Sequence, residues 1–406
     1  MKLLIISTYG SYPELNNGPP IVIYELLKKW SKKIDKIYLI SGVRNLESVS
    51  DAYKDIKNLV FIPLERSWGD WSKNECNNTN LYEVRFVLNI LLNMPRISWT
   101  IIKAIKSINP DIIFYNGIPF DPALMVPILI KLKNIYQIAR VPVYLPFEFK
   151  GKSDNKIMLF ATGTIYNFIL KNIDLIITQS NEMSDYIKSN LKTDNCIVIP
   201  NGVNLSNRMR EDDNRSRFIL LYVGNINSNK GIQVLLDSLI HIRKEFLYQI
   251  EVQLVGYGDP EFIESLREKI KVHQLKIPIN FLGIIAHDKI MSYYNKSDIY
   301  VFPSYQEGMS LSLLEAMGAG LPIIASNINS INCLIKSEFN GLLFEVGNAS
   351  ELASCIERLL EDKMLRERIG LNAYKTSKDF SWESIADRYL AEFGNTIRFK
   401  DNYSVT

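Results

Sequence analysis

Pro303-Ser304-Tyr305-Gln306-Glu307-Gly308-Met309-Ser310-Leu311-Ser312-Leu313-Leu314-Glu315-Ala316-Met317 is the stretch that decides the fold of this chain. It follows a strand-like run, Asp298-Ile299-Tyr300-Val301-Phe302-Pro303, and passes into a helical pattern that ends at Gly318 or Gly320. Two acids, Glu307 and Glu315, stand eight positions apart within it. With the helix beginning near Gly308, the steps to Glu315 make two turns, about 10 Å of rise. That places Glu315 on the face of Glu307, with the unpaired amides of the first turn between them, a ready site for an anion. A ligand with a polar group at each end and a diphosphate in the middle fits that layout.

Outward from this stretch, short apolar runs alternate with helical patterns. In the first half the runs predict strands at Lys2–Thr8, Lys36–Ser41, Asn58–Leu64, Asp111–Asn116, Val141–Pro146, Asp174–Gln179 and Cys196–Pro200. Helical patterns separate most of them, as at Pro20–Lys33, Pro122–Lys133, Lys156–Asn172 and Glu182–Asn190. A second series of strands is predicted at Phe218–Gly224, Glu251–Gly256, Ile279–Gly283, Asp298–Pro303 and Leu321–Ala325. Buried strands separated by helices imply βαβ units and parallel sheets. The fold class is α/β: two Rossmann-like, doubly wound parallel-sheet domains facing a cleft, with ligands at the carboxyl ends of the strands. The expected boundaries are 1–205, a polar linker at 206–217 containing Asp212-Asp213, 218–380, and a final segment at 381–406.

The C-terminal half resembles retaining glycosyltransferases of the GT-B fold, specifically the large family 4. Glu307 and Glu315 resemble that family's Glu-X7-Glu motif. Leu221-Tyr222-Val223-Gly224-Asn225 with Lys230-Gly231 is similar to its first strand and phosphate-binding loop, and Val255-Gly256-Tyr257-Gly258 to its second strand and loop. Phe281-Leu282-Gly283 is similar to the loop that holds the base; Asn340-Gly341-Leu342-Leu343 and Phe380-Ser381-Trp382-Glu383 follow in the family's order. The resemblance implies a nucleoside-diphosphate sugar as co-substrate, with no other cofactor and no metal. It implies that Glu315 bonds the ribose hydroxyls, that Glu307 contacts the donor sugar, and that the amides of Met309, Ser310 and Leu311 beside Gly308 meet phosphates or ribose. Lys230, with Glu307, carries the catalytic role, and Gly18, Gly224, Asn225 and Gly256 complete the donor set. The final segment is expected to pack back on the N-terminal domain.

The chain also departs from the family. Asn225 stands where an Arg is common; it donates a hydrogen bond but carries no charge, so leaving-group stabilisation falls to Lys230 and the helix terminus. A Lys before a helix sits at the electrostatically unfavourable end, a penalty that a diphosphate would remove. Family members usually carry Gly-Gly where this chain has Gly18-Pro19, and Pro19 has no amide hydrogen to give. The three histidines, His241, His273 and His287, all lie in the second half, whereas family members often carry one in the first domain. Glu148, in Leu145-Pro146-Phe147-Glu148-Phe149-Lys150, is the candidate substitute, and Asn116 the other candidate for the acceptor side.

Composition narrows the partners. A net charge of +3 over 406 residues gives nucleic-acid binding no electrostatic support. The charge is uneven: residues 1–205 carry 24 Lys/Arg against 18 Asp/Glu, residues 206–406 carry 23 against 26. The basic half, with the apolar and basic stretch Arg85–Lys106, suits an anionic membrane surface. Four scattered cysteines and the lack of an apolar run of about 18 residues point to the cytoplasm, at most peripheral to the inner face of a membrane. The absence of an Asp-x-Asp sequence favours a metal-free mechanism. The expected function is transfer of a sugar to a saccharide or lipid-linked saccharide in bacterial cell-envelope polysaccharide synthesis. Two other classes stay open: a nucleotide-sugar epimerase of the same fold, and a catalytically silent relative that only binds a partner.

Overall fold

The computed structural model describes residues 1–7, 18–43, 46–65, 98–116, 135–141, 163–164, 166–206 and 216–403. These form two compact units: Met1–Pro200 with Ile385–Thr406, and Asn201–Ser384.

The first unit holds a seven-stranded sheet: β1 (Lys2–Ser7), β2 (Lys36–Val43), β3 (Leu59–Glu65), β4 (Ile112–Asn116), β5 (Tyr136–Arg140), β6 (Leu175–Thr178) and β7 (Cys196–Val198), in the order β3-β2-β1-β4-β5-β6-β7. The strand pairs are parallel, and the order reverses direction between β1 and β4. The fifth strand corrects the sequence reading, which expects it at Val141–Pro146. Gln137 and Arg140 break the apolar run of Tyr136–Arg140, yet both are buried, with Gln137 accepting from the Tyr115 hydroxyl at 2.9 Å. Val141 follows the strand, and 142–146 lie outside the described residues.

On one face of this sheet Trp30, from helix Gly18–Trp30, packs edge-on to Phe114 and against Tyr389 and Phe393. Tyr389 and Phe393 belong to the last helix, Trp382–Tyr403, and the Trp30 indole donates to the Ala386 carbonyl at 3.2 Å. On the other face a helix at 98–108 inserts Ile101, Ile105 and Ile108 into the core. That apolar stripe accounts for much of the hydrophobic character of the Arg85–Lys106 stretch, whose first part, 85–97, lies outside the described residues.

The second unit holds a six-stranded parallel sheet: β8 (Phe218–Val223), β9 (Ile250–Val255), β10 (Ile279–Gly283), β11 (Ile299–Phe302), β12 (Ile323–Ser326) and β13 (Leu342–Phe344), ordered β10-β9-β8-β11-β12-β13. β13 is a strand that the periodicity did not single out, because it is three residues long. Alternate residues serve opposite cores: Leu220, Ile299 and Val301 one, Leu221, Tyr300 and Phe302 the other. A sheet covered on both faces needs the near-continuous apolar strands seen here.

Residues 201–206 belong to this unit, whereas the sequence reading carries the first domain through 205. Val203 pairs with Ser381, the Ser206 amide donates to the Gly318 carbonyl at 3.0 Å, and the Asn201 amide nitrogen Nδ2 donates to the Met309 carbonyl at 2.9 Å. The linker expected at 206–217 is described only at Ser206 and from Ser216 on.

The strand order reverses between β8 and β11, and two backbone contacts draw the loops after these strands together. A Cβ on Gly231 would stand 2.0 Å from the Pro303 carbonyl oxygen, and Gly231 itself has φ +65°. The Tyr305 amide donates to the Asn229 carbonyl at 3.0 Å. One strand over, Gly256 at φ +140° leaves room for the Gly224 carbonyl, which a Cβ would approach to 1.9 Å. Gly256→Ala is therefore expected to lower stability by about 2–4 kcal/mol, from backbone strain plus overpacking. Denaturant unfolding measures this; a loss under about 0.5 kcal/mol would contradict the close approach.

Candidate active site

The loops after β8 and β11 meet at the carboxyl end of the second sheet, where the strand order reverses. Ligands of open α/β sheets bind at such a point. After β8 the chain turns through Gly224 and Asn225, and the buried Tyr222 hydroxyl donates to the Asn225 carbonyl at 2.7 Å. The Asn225 residue itself is exposed. A short 3₁₀ turn, Ser228–Lys230, is capped by Asn227, whose side chain accepts from the Asn229 amide at 3.1 Å. Gly231 then opens the helix Ile232–His241.

Lys230 reaches across to the second loop. Its Nζ lies 2.6 Å from Glu307 Oε1, with 24% and 12% of the two side chains exposed. The carboxylate supplies the countercharge that a Lys in front of a helix N-terminus needs. Partial burial makes this pair stronger than a surface ion pair, because less water screens it. Two residues brought together from 77 positions apart in the sequence thus form one charged centre.

The helix after Glu307 begins later than the sequence reading expects. It runs Leu311–Gly318, with Ser310 as N-cap accepting from the Leu313 amide at 3.3 Å. A start near Gly308 is overruled because Ser310 competes for the backbone and caps the turn. Glu307 and Glu315 are therefore not two helical turns apart; only the last four steps, about 6 Å of rise, are helical. The amides of Ser310, Leu311 and Ser312 have no acceptor within the helix and lie between Glu307 and Glu315. Among the described residues no atom lies within 4 Å of where a Cβ on Gly308 would stand. Met309 holds the loop in place through its carbonyl, which accepts from Asn201.

Glu315 accepts from the Tyr294 hydroxyl at 3.0 Å, and its other oxygen stands 3.7 Å from His287 Nδ1. Burial, and then the Glu315 charge, push the Tyr294 phenol well above its ordinary range, so it stays a hydrogen-bond donor. Tyr300, at the centre of β11, donates to the Val223 carbonyl at 3.2 Å and stands 3.0 Å from Ser312 Oγ; burial likewise pushes its phenol up. Tyr222, Tyr294, Tyr300 and Ser312 escape a reading by residue type. Tyrosines inside apolar runs read as core, and only the structure shows that each hydroxyl ends beside the site.

The structure thus brings together Gly224, Asn225, Lys230, Glu307, Gly308, Met309, Ser310, Leu311 and Glu315. Gly256 stands behind Gly224, its amide donating to the Gly283 carbonyl at 2.8 Å. His287, the first residue of helix His287–Lys296, faces Glu315. In the first unit Gly18 opens its helix, and residues 8–17 before it lie outside the described residues, as does Glu148. Asn116 is fully buried: its Nδ2 donates to Ser7 Oγ at 3.3 Å and its Oδ1 accepts from Arg140 at 3.0 Å. Those bonds tie the ends of β1, β4 and β5 together and leave the side chain no exposed surface. Asn340, by contrast, serves only the fold, bonding the Lys336 amide at 2.7 Å and the Leu334 carbonyl at 2.9 Å.

Two doubly wound parallel-sheet units, one with a lysine, two carboxylates and a helix N-terminus at its switch point, have the architecture of the GT-B fold. Residues 206–376, within the second unit, match the model of the family "Glycosyl transferases group 1". It is 26% identical over 313 residues to an uncharacterized glycosyltransferase of Methanocaldococcus jannaschii, covering 74% of this chain and 79% of that one. Over 180 residues it is 32% identical to UDP-Gal:alpha-D-GlcNAc-diphosphoundecaprenol alpha-1,3-galactosyltransferase of Escherichia coli, covering 41% of this chain and 46% of that relative. Among solved structures, sucrose-phosphate synthase from Thermosynechococcus elongatus superposes with a TM-score of 0.78 over 100% of both chains at 20% identity, a likeness of fold.

Lys230→Ala is expected to lower turnover by roughly 10²-fold or more, the scale of one lost transition-state donor. Steady-state kinetics measure it. Turnover within about threefold of wild type would make Lys230 only the counterion of Glu307.

Proposed function

We propose that the protein is a metal-independent retaining glycosyltransferase that moves a sugar from a nucleoside-diphosphate sugar to a saccharide or lipid-linked saccharide acceptor. The observation that carries this reading is the Lys230–Glu307 pair at 2.6 Å, set beside the helix N-terminus with Glu315 on its far side. An anionic diphosphate placed at the amides of Ser310–Ser312 takes Lys230 as its countercharge. Glu307, released from part of that pairing, turns to the hydroxyls of the donor sugar, and Glu315 to the ribose. The E. coli relative's name supports both ends of the reaction, a UDP-sugar donor and a diphosphoundecaprenol-linked acceptor.

In the transfer step the bond from the anomeric carbon to the diphosphate oxygen breaks, and the bond to the acceptor oxygen forms on the same face. The acceptor's proton passes to the departing phosphate, and Lys230 with the helix amides holds the charge that develops there. The lysine thereby fills the role that a divalent ion plays in other transferases. The test is incubation with a panel of nucleoside-diphosphate sugars and saccharide acceptors in the presence of chelator. The expected product keeps the donor's anomeric configuration, read by NMR, and its rate is unchanged by added magnesium or manganese. Inversion overturns the retaining assignment; loss in chelator with rescue by metal overturns metal independence. Isomerised donor without transfer favours an epimerase, and neither product favours a silent relative.

The acceptor reading extends to a membrane surface. Among the described residues no helix is long and apolar enough to cross a membrane. Trp99 is 59% exposed on the helix at 98–108, with Lys103 Nζ 5.5 Å over its ring, and the half that carries it is basic. An aromatic beside lysines suits the interface of an anionic bilayer. The protein is expected to sediment with anionic liposomes at low salt and to be released as salt screens the charge. No sedimentation at low ionic strength, together with efficient transfer to a soluble acceptor, would discard the membrane surface as a partner.

A further inference from the structure

The hydroxyls behind the helix N-terminus form a chain whose direction is dictated by donor supply. Tyr300 stands within hydrogen-bond distance of the Val223 carbonyl and of Ser312 Oγ, and Ser312 Oγ lies 3.0 Å from Ser310 Oγ. A phenol has one hydrogen, and a carbonyl can only accept. Both contacts of Tyr300 are satisfied only when its hydrogen goes to Val223, so Ser312 donates to Tyr300. The Ser312 hydrogen is then spent, and Ser310 must donate to Ser312. The Ser310 oxygen remains the acceptor for the Leu313 amide at 3.3 Å. Tyr300 is fully buried, and burial keeps its phenol protonated, so the chain persists through the ordinary pH range.

The ends of this chain are the two halves of the site. Val223 immediately precedes the Gly224-Asn225 turn, and Ser310 and Ser312 are the N-cap and second residue of helix Leu311–Gly318. We propose that Tyr300 is a positioning residue for the donor diphosphate: through Ser312 and Ser310 it sets the distance between the amides of the helix N-terminus and the turn after β8. The inference rests on the donor-site reading above and deepens it. One consequence is that the Ser310 and Ser312 hydroxyl hydrogens are committed inward, so the phosphates are met by backbone amides and Lys230 rather than by these hydroxyls.

Tyr300→Phe keeps the ring, which packs 5.9 Å from Tyr294 and 6.1 Å from Phe302, and removes only the hydroxyl. Wild type is first titrated calorimetrically with UDP, GDP, ADP and dTDP, and the tightest is used with its parent nucleoside. The variant is expected to lose roughly tenfold in nucleoside-diphosphate affinity while nucleoside affinity stays within about twofold, and to lose roughly 10- to 100-fold in kcat/KM for the donor, as misplaced binding groups do. Ser312→Ala breaks the same chain from its other side and serves if Tyr300→Phe does not fold. The double variant is expected to lose no more than the worse single one, because the chain acts as a unit. Wild-type diphosphate affinity in both single variants, equal losses for nucleoside and diphosphate, or additive losses would overturn the positioning role. If wild type binds none of the four diphosphates, the donor-site reading fails first and the proposal with it.

Discussion

The second unit is organised around a backbone contact at its switch point. The Pro303 carbonyl occupies the space where a side chain at residue 231 would be, and the Tyr305 amide bonds the Asn229 carbonyl. Two loops that leave different strands are thereby held as one surface. This closeness is possible only because residue 231 is glycine with positive φ, and it is what lets Lys230 meet Glu307 at 2.6 Å. The same device recurs one strand away, where Gly256 admits the Gly224 carbonyl.

Chemistry follows from that geometry. A lysine at the mouth of a helix is poorly placed until an anion joins it, and here Glu307 is that anion. The ion pair balances the charge of Lys230 within the protein itself. Behind the pair, tyrosine hydroxyls from β8, β11 and the helix His287–Lys296 each brace one part of the site: the Asn225 carbonyl, the Ser312 hydroxyl and the Glu315 carboxylate. Their burial raises the cost of ionising them and so fixes them as donors.

Much was legible in the chain. Alternation of apolar runs with helical patterns sufficed for two parallel α/β units, because a strand buried on both faces must be apolar throughout. The pairing of Glu307 with Glu315, and of Gly224 with Lys230, marked the site because short loops after strands carry few residue types without reason. Other features were hidden by the same logic. Arg140 and Gln137 disguised β5, since each is buried with a hydrogen bond to β4, Arg140 to Asn116 and Gln137 to Tyr115, and the helical start at Gly308 ignored the capping power of Ser310. Leu342–Phe344 was too short for any period to show.

What the sequence determined by itself was the local grammar: most of the strands, which glycines punctuate them, and which charged residues follow a strand end. What only the tertiary structure decided was partnership. Lys230 and Glu307 are 77 residues apart, Tyr294 and Glu315 21 apart, and Asn201 and Met309 108 apart. Nothing local links them, because a hydrogen bond or ion pair depends on distances of about 3 Å that only the packing of strands, helices and loops imposes. Asn116 shows the converse: a polar residue at a strand end looks like a site in one dimension, and in three it is a buried tie between sheet ends.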